Sequence, residues 1–370
     1  MAENLLLHLI EPAGWRAALR LGAMPPGPEG FVHLSRPDQV HLPAARLGLE
    51  RPVLLVVDPA RLDAPLRAEP GLPDDPPGML FPHVFGPLPT SAVVAVVPYR
   101  PPAPPVLPAP DDELGRALAL YLSVPVRRAT EVRDVPGGVA VLDPAYSWSR
   151  DDNRLLLSDP LTADEVEAAA TAVAVDAGWP HRAAALRWPG AGAVAAELGR
   201  RRWDVEELLL MARPAGPMAG GDRAEVVDQA EVHDLWERSW RSGGVAPQER
   251  LDEVVAQLVG REHRNDLVVA VTDVVVREDG RVVAAGQLRV DGATAAVESV
   301  LTDDAARGRG YADAVLAKIL SLAAEAGCNL VVLEADADDW PREWYARRGF
   351  RIVGSVWDVS RPSASDMAQP

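Results

Sequence analysis

The stretch VESVLTDDAARGRGYADAVLAKILSLAAEAG, residues 297–327, constrains the fold most tightly. A β-branched run, 297–302, leads through a short polar loop into Arg307-Gly308-Arg309-Gly310-Tyr311-Ala312, and an Ala- and Leu-rich helical pattern begins at once. Small residues at that turn let backbone approach an anion. The first N–H groups of the new helix point at such a ligand with the helix dipole behind them. Arg307 and Arg309 add positive charge suited to a polyphosphate. A glycine pattern of this kind also describes an ordinary strand-to-helix turn, so the turn alone does not decide. On the incoming strand, period-two alternation places Glu298 and Thr302 on one face.

A second block, Trp344-Tyr345-Ala-Arg-Arg-Gly349-Phe350, stands one strand and one helix start downstream. Together the two blocks resemble the acetyl-CoA-dependent N-acetyltransferase (GNAT) superfamily over residues 222–360. Its Q/R-x-x-G-x-G/A loop is matched by Arg307, Gly310 and Ala312, and its Tyr ahead of Gly-Phe by Tyr345, Gly349 and Phe350. The resemblance implies acetyl-CoA held by Val300, Leu301, Thr302, Arg307, Gly308, Arg309, Gly310, Tyr311 and Ala312. The strand should splay over 299–302, so that its free backbone groups pair with the pantetheine arm. A free N–H there would stabilise charge on the thioester carbonyl. Glu298 is the candidate general base, directly or through water, and Tyr345 the candidate acid for the departing thiolate. Against these roles stand a carboxylate merely paired with arginine and a tyrosine merely packed against the cofactor. One departure is Asp338, seven before the tyrosine, where the family often has Asn; it would face a cationic acceptor. Cys328, ahead of an apolar strand, reads as core.

The proline-dense residues 98–112, PYRPPAPPVLPAPDD, block helix formation and predict a semi-rigid spacer. A second break, RPAGPMAGGD, covers 213–222. These give domains at 1–99, 112–213 and 222–360, a linker at 100–111 and a disordered tail at 361–370. In the third domain a helix is expected over 226–241 and a hairpin turning at Glu278-Asp279-Gly280. In the second, Thr162 and Glu165 form a capping box ahead of a helix over 161–178. Strand-like 154–159 and 203–212 bracket that domain, and its ending echoes that of the third. It resembles a degenerate first copy of the same fold, without the arginine-glycine turn, in a tandem acetyltransferase. The expected fold class is therefore α+β, or mixed α/β: a small first domain, then two GNAT-like domains, each a mixed, mostly antiparallel sheet flanked by helices.

Four of seven histidines fall in the first 83 residues. Two blocks, Gly30-Phe31-Val32-His33-Leu34-Ser35 and Phe81-Pro82-His83-Val84-Phe85-Gly86, resemble a small bacterial family of unassigned function with an ADP-ribosyltransferase-like fold, over residues 3–99. That resemblance implies a nucleotide pocket lined by His8, His33, Ser35 and His83, with Glu69 as an acid and NAD as the ligand. The alternative reading has these histidines bracing loops through backbone carbonyls. No ligand spacing supports a metal.

Composition closes several doors. Hydrophobic residues at 48% and charged residues at 25% exclude a wholly disordered chain. A net charge of -17 argues against a nucleic-acid-binding face and favours a small amine or basic peptide as acceptor. No apolar run is long enough to cross a membrane. The amino terminus lacks a basic n-region, so no secretory leader is expected. One cysteine leaves no intramolecular disulfide and fits a reducing cytoplasm. The expected activity is an acyltransferase acting on groups other than amino-acyl groups. Alternatives are nucleotide chemistry in the first domain, or a non-catalytic acyl-CoA-binding protein. Trp236 and Trp240, four apart on one helical face, either wall an acceptor site or pack in the core.

Overall fold

Two of the three strands of the chain's first sheet, VLLVV and VVAVVP, are Val-rich runs bounded by proline, and the third, LLHLI, ends just before Pro12. In the computed structural model, which describes residues 5–72, 75–76, 78–243 and 246–362, β1 (Leu6–Ile10) leads to α1 (Pro12–Leu21), β2 (Ala23–Met24), β3 (Val32–His33), α2 (His41–Leu47) and β4 (Val53–Val57). Next come β5 (Leu66–Pro70), β6 (Leu80–Val84), β7 (Leu88–Pro89), β8 (Val93–Pro98) and α3 (Glu113–Arg128). A second series runs β9 (Glu131–Val135), β10 (Gly138–Leu142), β11 (Arg154–Leu157), α4 (Ala163–Ala177), β12 (His181–Leu186), α5 (Gly192–Arg200) and β13 (Asp204–Pro214). After β14 (Glu225–Val227), α6 (His233–Ser242) and α7 (Leu251–Gly260) comes a third: β15 (Ala270–Glu278), β16 (Arg281–Asp291), β17 (Thr294–Thr302), α8 (Tyr311–Glu325), β18 (Leu330–Asp336), α9 (Pro341–Ala346) and β19 (Arg351–Pro362). The second series and the third from β15 share one order, three strands then helix, strand, helix, strand. In both, the third strand runs parallel to the fourth. The fold class is thus the mixed, mostly antiparallel α/β arrangement expected.

The chain divides into two compact units, each assembled from several segments. Unit 1 is Met1–Arg127, Pro214–Asp228 and Asn265–Val332. Its first sheet orders β1-β4-β8, with small sheets β2-β7 and β3-β6-β5 beside it. The interior of the first sheet continues into the third series: Leu5, Leu7, Leu54 and Val56 share a cluster with Ala293 and Ala119. The Ala293 N–H donates to the Val93 carbonyl at 2.7 Å, and Trp15 Nε1 donates to Asp291 Oδ1 at 2.8 Å. The proline-rich stretch therefore does not hold the first hundred residues away from the third series. Rigid local backbone predicted a spacer, but apolar burial and these bonds decide the packing.

Arg116 of α3 fixes that helix. Its guanidinium donates to the carbonyls of Val94, Pro110 and Ala293, to Thr294 Oγ1 and to Asn329 Oδ1, at 2.7–3.2 Å. Burial pulls its pKa down to about 10, still cationic at neutral pH. Cys328 is buried at 7% exposure, and burial pushes its thiol up to about 12. Native protein at pH 8 is accordingly expected to resist iodoacetamide, with alkylation complete only after denaturation, as read by intact mass. Rapid native labelling would contradict the burial.

Unit 2 is Arg128–Arg213, Gln229–Arg264 and Leu333–Pro370. Its sheet orders β13-β19-β12-β11-β10-β9. The strand β19 lies antiparallel between β12 and β13, Leu186 opposite Trp357 and Val205 opposite Val359. Leu155, Leu157, Val166, Leu186, Leu198 and Val359 share the core beneath. Trp236 is buried. The capping box of α4 forms as expected, Thr162 accepting from the Glu165 N–H and the Glu165 carboxylate from the Thr162 N–H. Two local expectations change. The helix expected from 226 begins only at His233, because Val226 and Val227 pair with β15. Of the tail expected to be disordered, Arg361 and Pro362 extend β19; the remainder lies outside the described residues.

Among the described residues no helix is long and apolar enough to cross a membrane. Nor does any group of three or more His, Cys, Asp and Glu among them have the arrangement to hold a metal ion.

Candidate functional site

The site in unit 1 begins with the β15–β16 hairpin. Its turn carries Asp279 and Gly280 at φ +51° and +80°, the conformation expected of Asp-Gly. The outer edge of the next strand is what matters chemically. The parallel register of β17 with β18 covers Thr294–Ala296 against Leu330–Val332. On the other side β17 pairs with β16, but Glu298 opposes Gln287 while Leu301 opposes Ala285, so Ser299 and Val300 together face Gly286. Ser299 takes φ +53°, marking a β-bulge. The bulge shifts the alternation. Directly opposed residues share a face, so Leu301, and not Thr302, lies on the face of Glu298. This corrects the expected pairing of Glu298 with Thr302. Gly286 serves a different need: a Cβ there would come within 2.7 Å of Val315 Cγ1 on α8, so the small residue lets the helix seat.

Beyond β17, the Asp303 carboxylate accepts the Ala305 N–H and starts a short turn. Gly308 and Gly310 both sit at φ +77°. Gly310 is the N-cap of α8 and brings no side chain to the first N–H groups of that helix. The N–H groups of a helix start of this kind suit an anion. Arg307 pairs with Asp304 at 2.6 Å, with both side chains well exposed. Arg309 is tied to Glu278 at 2.6 and 2.7 Å, and the Tyr311 hydroxyl donates to the same carboxylate at 2.9 Å. The Arg223 guanidinium covers the Tyr311 ring at 4.7 Å. Arg309 thus braces the loop against the hairpin turn, whereas Arg307 has only a solvent-exposed pair, worth little, to give up.

Glu298 accepts a hydrogen bond at 3.0 Å from the Tyr121 hydroxyl of α3. Arg289 Nη1 lies 3.8 Å from its other oxygen. Arg289 Nε donates to Gln287 Oε1, which leaves Gln287 Nε2 to donate to Asp273. The carboxylate is held without being buried, its side chain 23% exposed. Tyr121 lies 177 residues from Glu298 in sequence. No spacing or motif marks it, and only the Arg116 anchor of α3 explains its placement.

In unit 2, Tyr345 on α9 is buried, with its ring edge-on to Trp344 at 4.7 Å and to Phe350 at 5.6 Å. Gly349, at φ +85°, lets the chain turn from α9 into β19. Asp338 is exposed, its N–H donating to Asp336. Trp240 lines a cavity of about 380 Å³ with Arg154, Glu206 and Asp358.

The amino-terminal histidines fall into two groups. His8 Nδ1 lies 2.7 Å from the His33 carbonyl oxygen, and burial lowers its pKa. The Ser35 backbone pairs with that of Leu7, and the residue is buried. His33 and His83 meet side by side, Nδ1 to Nε2 at 3.2 Å.

Comparison with known proteins matches residues 230–350 to the acetyltransferase (GNAT) family and residues 9–96 to a protein family of unknown function (DUF952). A probable glucosamine 6-phosphate N-acetyltransferase 2 of Oryza sativa subsp. japonica is 34% identical over 93 residues, 23% of this chain. The chain spans 55% of that relative's length. A conserved protein of unknown function from Staphylococcus epidermidis superposes with a TM-score of 0.50 at 12% identity, over 64% of this chain and 94% of its own. A GCN5-related N-acetyltransferase from Kribbella flavida gives 0.47 at 18% identity, over 68% and 97%.

Proposed function

We propose, from the match of residues 230–350 to the acetyltransferase (GNAT) family, that the protein transfers an acetyl group from acetyl-CoA to an amine. The observation that carries this reading is β17 itself, whose parallel register stops at Ala296 and which bulges at Ser299. That leaves strand backbone at Val300, Leu301 and Thr302 for an extended arm to pair with, as an added strand would. The N–H groups at the start of α8, with Gly308, Gly310 and Ala312 keeping side chains clear, suit the pyrophosphate, and Arg307 turns to it from Asp304. Acetyl-CoA supplies the activated acyl thioester.

The chain's own residues handle protons. An amine acceptor is protonated at neutral pH and must lose a proton before it attacks. Glu298 takes that proton, directly or through one water, while the Tyr121 hydroxyl orients its Oε1. The net charge of -17 favours a cationic acceptor, a small amine or a basic peptide. A single cysteine fits a reducing cytoplasm.

Calorimetric titration of the full chain with acetyl-CoA tests the reading. Micromolar binding is expected, weakened at least about 100-fold in an Arg307→Ala/Gly310→Glu variant. A left-handed glutamate costs about 1–2 kcal/mol of backbone strain and sets a carboxylate where phosphate would lie. Absence of acetyl-CoA binding alongside clear NAD binding would overturn it. An amine screen following a positive result includes glucosamine 6-phosphate, the substrate in the rice relative's name.

A further inference from the structure

We propose that the β3-β6-β5 sheet carries a second, separate site, in which exposed His33, backed by buried His83 and Glu69, exchanges a proton with an oxyanion ligand held by Arg67. The register sets the geometry. His33 on β3 opposes His83 on β6, and His83 in turn opposes Arg67 on β5. Directly opposed residues share a face, and neighbouring strands lie about 4.8 Å apart, so one row runs imidazole, imidazole, guanidinium across about 10 Å. Phe31 stacks on His83, ring centroids 4.2 Å apart and 13° from parallel, and meets His33 edge-on at 4.8 Å. Arg67 lies 4.5 Å over the Phe85 ring, which leaves its N–H edges for an anion.

His83 is the informative member. It is 1% exposed, and its Nδ1 has no hydrogen-bond partner. Glu69 Oε2 stands 3.9 Å from that nitrogen, too far for a bond, and favours the charged ring against burial and the neighbouring His33, which together hold the His83 pKa below the ordinary imidazole value. His83 Nε2 faces His33 Nδ1 at 3.2 Å. A buried polar atom left without a partner costs stability, and a role in proton handling accounts for its retention. The proton path balances. His33 Nε2 takes a proton from a ligand O–H or bound water, while His33 Nδ1 passes its own to His83 Nε2. The positive charge then rests on His83 beside Glu69, and the ligand oxygen becomes anionic beside Arg67. His8, from β1, reaches the His33 carbonyl with Nδ1 at 2.7 Å, and burial lowers its own pKa. Ser35 takes no part.

Histidine ring resonances of the full chain, followed by NMR through a pH titration, read the coupling. His83 is expected to titrate below the ordinary imidazole value, because burial and His33 oppose its charge. Glu69→Gln should lower it further, because the carboxylate favours the charged ring. Inorganic phosphate and acetate, added in separate arms, distinguish a phosphate ligand from a carboxylate one, and at least one should shift the His33 signals. Arg67→Ala should weaken that response about tenfold without altering the histidine titration. A His83 titration unmoved in Glu69→Gln would overturn the proposal. So would indifference to both anions, or wild-type anion response in Arg67→Ala. Since His83→Gln risks unfolding, the exposed-side variants carry the test, each with an unchanged circular dichroism spectrum. Both readouts are independent of acetyl transfer.

Discussion

Asp291→Ala is expected to lower the apparent melting temperature by about 10 °C, followed by circular dichroism. Asp291 and Arg127 are paired at 2.5 Å with side chains 2% and 1% exposed, and Trp15 donates to the same carboxylate. Removing it strands a buried guanidinium, a loss of about 3–5 kcal/mol. A shift of that size moves a domain of this class by several degrees per kcal/mol at the smaller end and less at the larger. Asp291→Asn keeps an acceptor for Trp15 but not the charge, and is expected to fall between. A change under 2 °C in Asp291→Ala would show that these bonds do not hold α1 and α3 to the β16–β17 turn.

Glu298→Gln is expected to reduce kcat about 100-fold or more while leaving acetyl-CoA affinity unchanged, since positioned acid–base groups contribute about 10²–10⁴. The amide retains an acceptor for Tyr121 and cannot take the amine's proton. Raising the pH supplies free amine without help, so the deficit should narrow in alkaline assays. Tyr121→Phe removes only the hydrogen bond at 3.0 Å, and a loss of several-fold is expected. Equal kcat for Glu298→Gln and the parent enzyme across pH would remove Glu298 from the chemistry and leave it a partner for Arg289.

How much was legible in the sequence depends on the range of the forces involved. The hairpin turn at Asp279-Gly280 and the Thr162–Glu165 cap are written in neighbouring residues, because each satisfies a few adjacent backbone groups. The strand–glycine–helix order around Gly310 is local as well, and it appears as expected. The bulge at Ser299 is not legible: a serine in left-handed backbone carries no mark in its side chain, and one extra residue reverses which neighbours share a face. Tyr121 escaped for another reason. Its bond to Glu298 depends on α3 being pinned by Arg116, and a buried arginine looks in sequence like any surface one. The proline run illustrates the reverse case. Its local stiffness is plain, yet Trp15, Asp291 and Ala293 decide where the preceding strands pack.

The insertion of β19 between β12 and β13 bears on biosynthesis. The middle strands of unit 2 leave the ribosome with a gap in their sheet, and the strand that fills it is made about 150 residues later. At roughly 5–20 residues per second, β12 and β13 wait on the order of ten to thirty seconds with unpaired edges. Such edges template pairing with other chains, so nascent or truncated forms ending before residue 351 are the species in which aggregation should concentrate.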